Sequence, residues 1–374
     1  MLDVWIDEQT LPPGLTDPIR LTEWMLSSLS LIRRRSSKNE EEVTSTPIGK
    51  MMFEFALSRP DEGLDPREML DALGVSTTTL HHLLGQLRRA RIVTQAGGSE
   101  QGHRFHRLRF GHLPTAVRAM AEEARMVLRH NLLTLFDGWE RESGVEEPDT
   151  METQRLHIRI RDPSPISDTM QGEVLVKDLG LSGERPGKDG KAEREILQIL
   201  GRMMESEVPV TIEECMALTT GSRARVTLQL VRLQRSGMVR RAPLWERLTQ
   251  CVVDAITRQR RRRGDDWVID TRRLGRLGVE EAQNLLTRLD RASTSMEDID
   301  AMITKGGHEG GRVLLNVLGG QIPDGYSLAG RNAEEITDRA LHMLDLFIAR
   351  LGRVAERITL ALRKEEVKGD PGRS

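Results

Sequence analysis

The chain has 374 residues, with 55 Lys and Arg against 57 Asp and Glu for a formal net charge of −2; 38% of residues are hydrophobic and only 3% aromatic. That length holds two or three domains, each able to bury a core, and the composition suits helix-rich cores of Leu, Ile, Val and Met rather than large aromatic binding clefts. Apolar runs are everywhere broken by charge within about 18 residues, which excludes a transmembrane span, and Asp3, Asp7 and Glu8 stand where a signal peptide would be basic and then apolar. Cys215 and Cys251, the two cysteines, lie in no zinc-binding spacing. Such sparse usage fits a reducing compartment, so a cytoplasmic protein with no metal and no cofactor is expected.

In chain order, 16–34 reads as an amphipathic helix opened by Asp17 and Pro18, and 33–46, with acidic Glu40 to Glu42, reads as a linker. An ordered module at 47–112 is followed by a long helix over 113–141 and an acidic boundary at 142–150. Leu156, Ile158 and Ile160 alternate with polar residues, as in a half-buried strand, and 173–176 reads as a second strand. A linker at 180–190 precedes a second helical module at 191–263. A less legible, glycine-containing region, 264–331, leads to a final helix opened by Asn332 and Glu335 as a capping box. The expected domains are therefore 1–46, 47–112, 113–150, 151–190, 191–263, 264–331 and 332–374.

The first module carries the clearest grammar. Met51, Met52, Phe55 and Ala56 give an opening helix one apolar face. Asp65, Pro66 and Glu68 then cap and start a short helix that ends at Gly74. Ser76 caps a third helix whose Leu80, Leu83, Leu84 and Leu87 face the core. Two helices joined by so tight a turn make a helix-turn-helix. The opposite face of the third helix carries Thr78, His82, Gly85 and Arg89, flanked by His81 and Gln86: short hydroxyls near the amino end and longer polar groups beyond suit base edges and phosphates. Strands at 91–95 and 103–110 around a turn at 96–102 read as a wing. Between 76 and 110 six arginines (88, 89, 91, 104, 107, 109) face Glu100 alone, a balance that favours a phosphate backbone. The four histidines 81, 82, 103 and 106 fall on this same surface and are not read as a metal site.

The run GVSTTTLHHLLGQLRRARIV, 74–93, resembles the recognition segment of winged-helix transcription regulators of the ArsR and MarR kind, over about 47–141. The resemblance implies a dimer that reads paired half-sites of double-stranded DNA, with Thr77, Thr78, His81, His82 and Gln86 at the bases. Wing contacts to phosphate fall to Arg104, His106 and Arg107. Ser76, Arg88 and Arg89 complete the expected DNA-binding set. The cysteine motif of metal-sensing members is missing. In such regulators the helix after the wing often pairs two subunits; Leu128, Leu132, Leu135 and Trp139 form its stripe. Leu344, Ile348, Leu351 and Ile358 lie in a heptad seam on the last helix. Both seams are expected to serve dimerisation.

At 191–245 the grammar repeats: Thr211 and Glu214 form a capping box, and Gly221 and Ser222 form a turn and cap, resembling a second, degenerate winged helix. Its outer face includes Ala224, Leu228 and Val231, and Pro243 and Trp245 interrupt the place of a wing. Arg232, Arg235, Arg240, Arg241 and Arg260 to Arg263 make a second surface for nucleic acid, or a solvated one. The fold class expected is mainly α with small β wings: tandem winged-helix modules plus long helices, the C-terminal one coiled-coil-like. No phosphate loop, zinc-helix pair or nucleophile elbow is present, so no enzyme is expected. The function expected is a homodimeric DNA-binding transcription regulator. The alternative is a scaffold of a chromosome-organising complex that meets protein partners through the second module or last helix. A replication initiator would need both modules on DNA at once.

Overall fold

The computed structural model describes residues 1–32, 46–62, 65–95, 105–141, 155–164, 171–183, 189–290 and 295–369, with side chains as far as 363. β1 (Asp3–Asp7) leads to α1 (Pro18–Ser28), whose Ile19 N–H donates to Asp17 Oδ1 at 3.1 Å. α2 (Pro47–Lys50) runs on as a wider helical turn, Met51–Leu57. α3 (Pro66–Leu73) starts at Asp65 and stops at Gly74, which takes φ +60°, a left-handed conformation that glycine adopts without a Cβ penalty. α4 (Thr77–Arg89) follows, then the antiparallel pair β2 (Val93–Gln95) and β3 (His106–Leu108), then α5 (Leu113–Leu135).

The chain then repeats this order. β4 (His157–Arg161), α6 (Gln171–Asp178), α7 (Lys191–Glu205), α8 (Ile212–Leu218), α9 (Arg223–Arg235) and β5 (Val239–Pro243) come in turn. α10 (Leu248–Arg263), α11 (Asp265–Ile269), α12 (Val279–Asp290), α13 (Met296–Ile303) and α14 (Gly307–Val317) intervene before β6 (Asp324–Leu328), the partner of β5, and α15 (Ala333–Gly369). Capping boxes open two of these helices: Glu214 N–H donates to Thr211 Oγ1 at 3.2 Å, and Glu335 N–H to Asn332 Oδ1 at 2.9 Å.

Two compact units result. The first comprises 1–204, 216–240 and 328–374; the second comprises 205–215 and 241–327. In the first, β1 pairs antiparallel with β4 and buries Val4, Ile6, Ile158 and Ile160, while α5 and α1 both pack on α15. In the second, Leu248, Val252 and Ile256 of α10 pack with Leu274, Leu285, Ile303 and Leu315. Among the described residues no helix is long and apolar enough to cross a membrane.

Several expectations change. Residues 173–176 belong to a helix, α6, and the expected strand at 156–160 finds its partner at the start of the chain. The helices expected at 16–34 and 113–141 end at Ser28 and Leu135. Within the expected linker 180–190, Leu181 and Ser182 are buried. The place of a second wing is not empty: β5 continues to Pro243 and pairs with a strand that follows only after α10 to α14. α10, expected in the second module, belongs to the helical second unit. Residues 33–45 of the expected linker 33–46, the turn at 96–102 and the boundary at 142–150 lie outside the described residues.

Candidate nucleic-acid interface

Ser76 starts α4 by accepting the Thr79 N–H at 3.2 Å. Leu80, Leu84 and Leu87 anchor the helix in the core, with Leu83 half-buried. This anchoring turns Thr77, Thr78, His81, His82, Arg88 and Arg89 outward, all exposed, as is Ser76. Gln86 is half-buried instead, beside a polar hollow of about 170 Å³ bordered by Asp3, Trp5 and Arg159. Thr79, exposed on the same turn but not singled out in the sequence, shares a hydroxyl–hydroxyl hydrogen bond with Ser76 Oγ at 2.9 Å, in which either oxygen can donate. Arg88 donates to Gln95 Oε1 at 3.1 Å, tying the helix to β2.

The strand pair corrects one expected contact. In the register Val93↔Leu108, Thr94↔Arg107 and Gln95↔His106, Arg107 is exposed while His106 is only 6% exposed. Desolvation first, then the charges of Arg88 and His81, lowers its pKa to about 4. A neutral, buried imidazole is not placed to neutralise a phosphate, whereas Arg107 is exposed. Arg104 lies outside the described residues.

The net basic count of this module also shrinks. Glu123 of α5 binds Arg91 at 2.7 Å and Arg109 at 2.6 Å, so one carboxylate is shared by two of the six arginines. Among the described residues, the charge presented beside α4 comes from Arg88, Arg89 and Arg107.

Most of the second arginine set is engaged within the protein. Arg232 donates to the Ser182 carbonyl at 3.5 Å; Arg235 donates to the Arg155 carbonyl at 3.2 Å and to Asp7 at 2.9 Å. A hydrogen bond from His157, with the charges of His157 and Arg235, holds the Asp7 carboxyl below its ordinary pKa. Arg260 bridges Asp265 at 2.8 Å and Asp290 at 2.7 Å, which raises its own pKa. Arg263 covers the Trp267 ring at 4.6 Å, and Arg241 lies over Tyr326 at 5.7 Å. Arg240 is half-buried, whereas Arg261 and Arg262 are exposed. Arg232, Arg235 and Arg240 fall in the first unit, the other five in the second. The sequence run therefore does not form one surface within a single unit.

The expected dimer seams are filled by the chain itself. Leu128, Leu132, Leu344, Leu351 and Ile358 are buried where α5, α15 and α1 pack, with Leu135 and Ile348 half-buried. Trp139, also half-buried, donates its indole N–H to the Met204 carbonyl at 3.2 Å. The five buried side chains are thus part of this chain's own core, while Leu135, Trp139 and Ile348 remain partly exposed. No family model, curated protein or solved structure matches this chain.

Proposed function

We propose that residues 47–110 form a winged helix-turn-helix that binds double-stranded DNA through α4 and the β2–β3 pair, and that the protein is a transcription regulator. The observation that carries this reading is the outward face of α4, where Thr77, Thr78, His81 and His82 are exposed ahead of Arg88 and Arg89 on a helix locked from behind by leucines. Hydroxyls and imidazoles at the amino end match base edges in a major groove, and guanidinium groups at the other end match phosphate. Mobility-shift titration of duplex fragments from the protein's own genome tests it. Binding should weaken about tenfold or more when Arg88→Ala and Arg89→Ala are combined, and the salt slope should become shallower by about 2, one step per lost phosphate contact. Weak binding that ignores both substitutions and salt would overturn the proposal.

A second reading, an assembly protein that meets other proteins, is favoured by one feature. Leu228 on the outer face of α9 is 49% exposed beside exposed Ala224. That reading prevails if the purified chain ignores duplex DNA and binds one protein partner stoichiometrically.

A further inference from the structure

The first unit contains two passes of one design, and their contacts recur in matched pairs. α4 and α9 have 13 residues each, and Ser76 and Ser222 cap both by accepting the N–H three residues on. α1 and α6 end alike. Leu29, Ser30 and Leu31 donate their N–H groups to Met25, Ser27 and Leu26, as Leu179, Gly180 and Leu181 do to Leu175, Lys177 and Val176. Ser30 and Gly180, the counterparts at the turn, take φ +51° and +69°. Each strand is tied to its helix in the same way: Gln9 N–H donates to Ser28 Oγ at 3.2 Å, and Ser164 N–H to Asp178 Oδ2 at 3.1 Å.

The two passes also meet each other symmetrically. Leu2 N–H donates to the Asp162 carboxylate at 2.7 Å while Leu156 N–H donates to Glu8 at 3.1 Å. Glu8 N–H returns to the Leu156 carbonyl at 2.9 Å and Asp162 N–H to the Leu2 carbonyl at 3.1 Å. Each residue thus touches the counterpart of its own partner's equivalent, which is the rule of a two-fold, isologous interface between subunits. α5 and α15 complete that interface by running antiparallel, with ion pairs Arg125–Asp345 at 2.6 Å and Arg129–Asp338 at 3.9 Å.

We infer that one chain supplies both halves of the dimer that a winged-helix regulator assembles from two, and that it engages DNA as a single chain on a non-palindromic site. The second clause rests on the DNA-binding reading above. Operator palindromes mirror identical reading helices, and here the helices differ: Thr78 and His82 of α4 correspond to Ala224 and Leu228 of α9. The apparatus of dimerisation, β1 with β4 and α5 with α15, is already satisfied inside the chain, so a second copy is not needed to present α4.

Mass, bridging and DNA-complex measurements on the 374-residue chain test the inference. Light scattering of the wild type should give the mass of one chain at every concentration. Arg125→Cys with Asp345→Cys, in a Cys215→Ala, Cys251→Ala background, should be bridged by a short bis-maleimide at one-chain mass, since both positions are partly exposed. Two-chain mass in solution, or bridging between chains, overturns the inference. With duplex fragments selected by the protein, native mass spectrometry should find one chain per duplex and footprinting an asymmetric site; two chains on an inverted repeat overturns it equally. If no duplex is bound, the DNA-binding reading falls alone, and mass and bridging still decide whether the dimer lies within the chain.

Discussion

α4 and α9 share a length, a serine cap and a leucine-rich inner face, yet their outer faces have parted. Where α4 carries Thr78 and His82, α9 carries Ala224 and Leu228; where α4 ends in exposed Arg88 and Arg89, the α9 counterpart Arg235 is tied to Asp7. Their basic groups differ in the same sense, because Arg225 of α9 binds the buried Glu195 at 2.9 Å. The comparison separates two layers of information. Caps and inward leucines specify a helix and its seat, and both modules keep them. The outward residues differ: α4 presents Thr78 and His82 where α9 presents Ala224 and Leu228, although Arg223 and Arg225 remain exposed on α9. The DNA-reading face proposed for α4 is a handful of exposed side chains that contribute little to stability, since exposed positions away from caps and cores usually shift it by no more than about 0.5 kcal/mol.

Three perturbations test how far the two modules share one architecture. The largest effect is expected in the shared core: Leu132→Ala in α5 and Leu351→Ala in α15 should each destabilise by about 2 to 5 kcal/mol, because both are fully buried against neighbouring helices. Urea unfolding reads this, and similar losses from both would place the two passes in one cooperative interface. A loss in only one would separate them.

Next comes acid. His106 has an ordinary pKa of 6.5 and takes about 4 in the fold. The unfolded chain therefore binds its proton first as pH falls. The stability this residue contributes is complete above pH 6.5, is lost between 6.5 and 4, and levels off below, a drop of about 3 kcal/mol. His106→Leu should flatten that part of the pH profile. An unchanged profile would mean that the imidazole is solvated in the fold. The second module has no histidine at its β5 strand, so the effect is confined to the first.

The smallest effect concerns the caps. Ser76→Ala and Ser222→Ala should each cost about 1 kcal/mol, measured by thermal unfolding, because each removes the same side-chain acceptor from the same turn. Equal costs would support a common architecture with divergent faces.

Local signals were legible in the sequence because they act over a few residues: Asp65 and Gly74 around α3, Ser76 and Ser222, and the Thr211–Glu214 and Asn332–Glu335 boxes all take their expected places. What escaped depends on distant partners. The pairing of Asp7 with His157 joins the opening strands of the two passes, about 150 residues apart, and β6 reaches β5 only after five helices. α6 looks strand-like because of Val174 and Val176, but its end is fixed as a helix by Leu179 to Leu181, matched to α1. His106 alternates into the core in the β2–β3 register, and the heptad seam of α15, a fair signal for helix pairing, meets α5 of the same chain.

The central claim is that α4, and not α9, reads DNA. Exchange of the two outward pairs tests it most directly, by titrating one selected duplex with two variants of the chain at fixed salt. Thr78→Ala with His82→Leu should lower affinity about tenfold to a hundredfold, the range for one or two lost base contacts, whereas Ala224→Thr with Leu228→His should stay within about threefold of the wild type. Equal losses from both variants, or a greater loss from the α9 pair, would contradict the account.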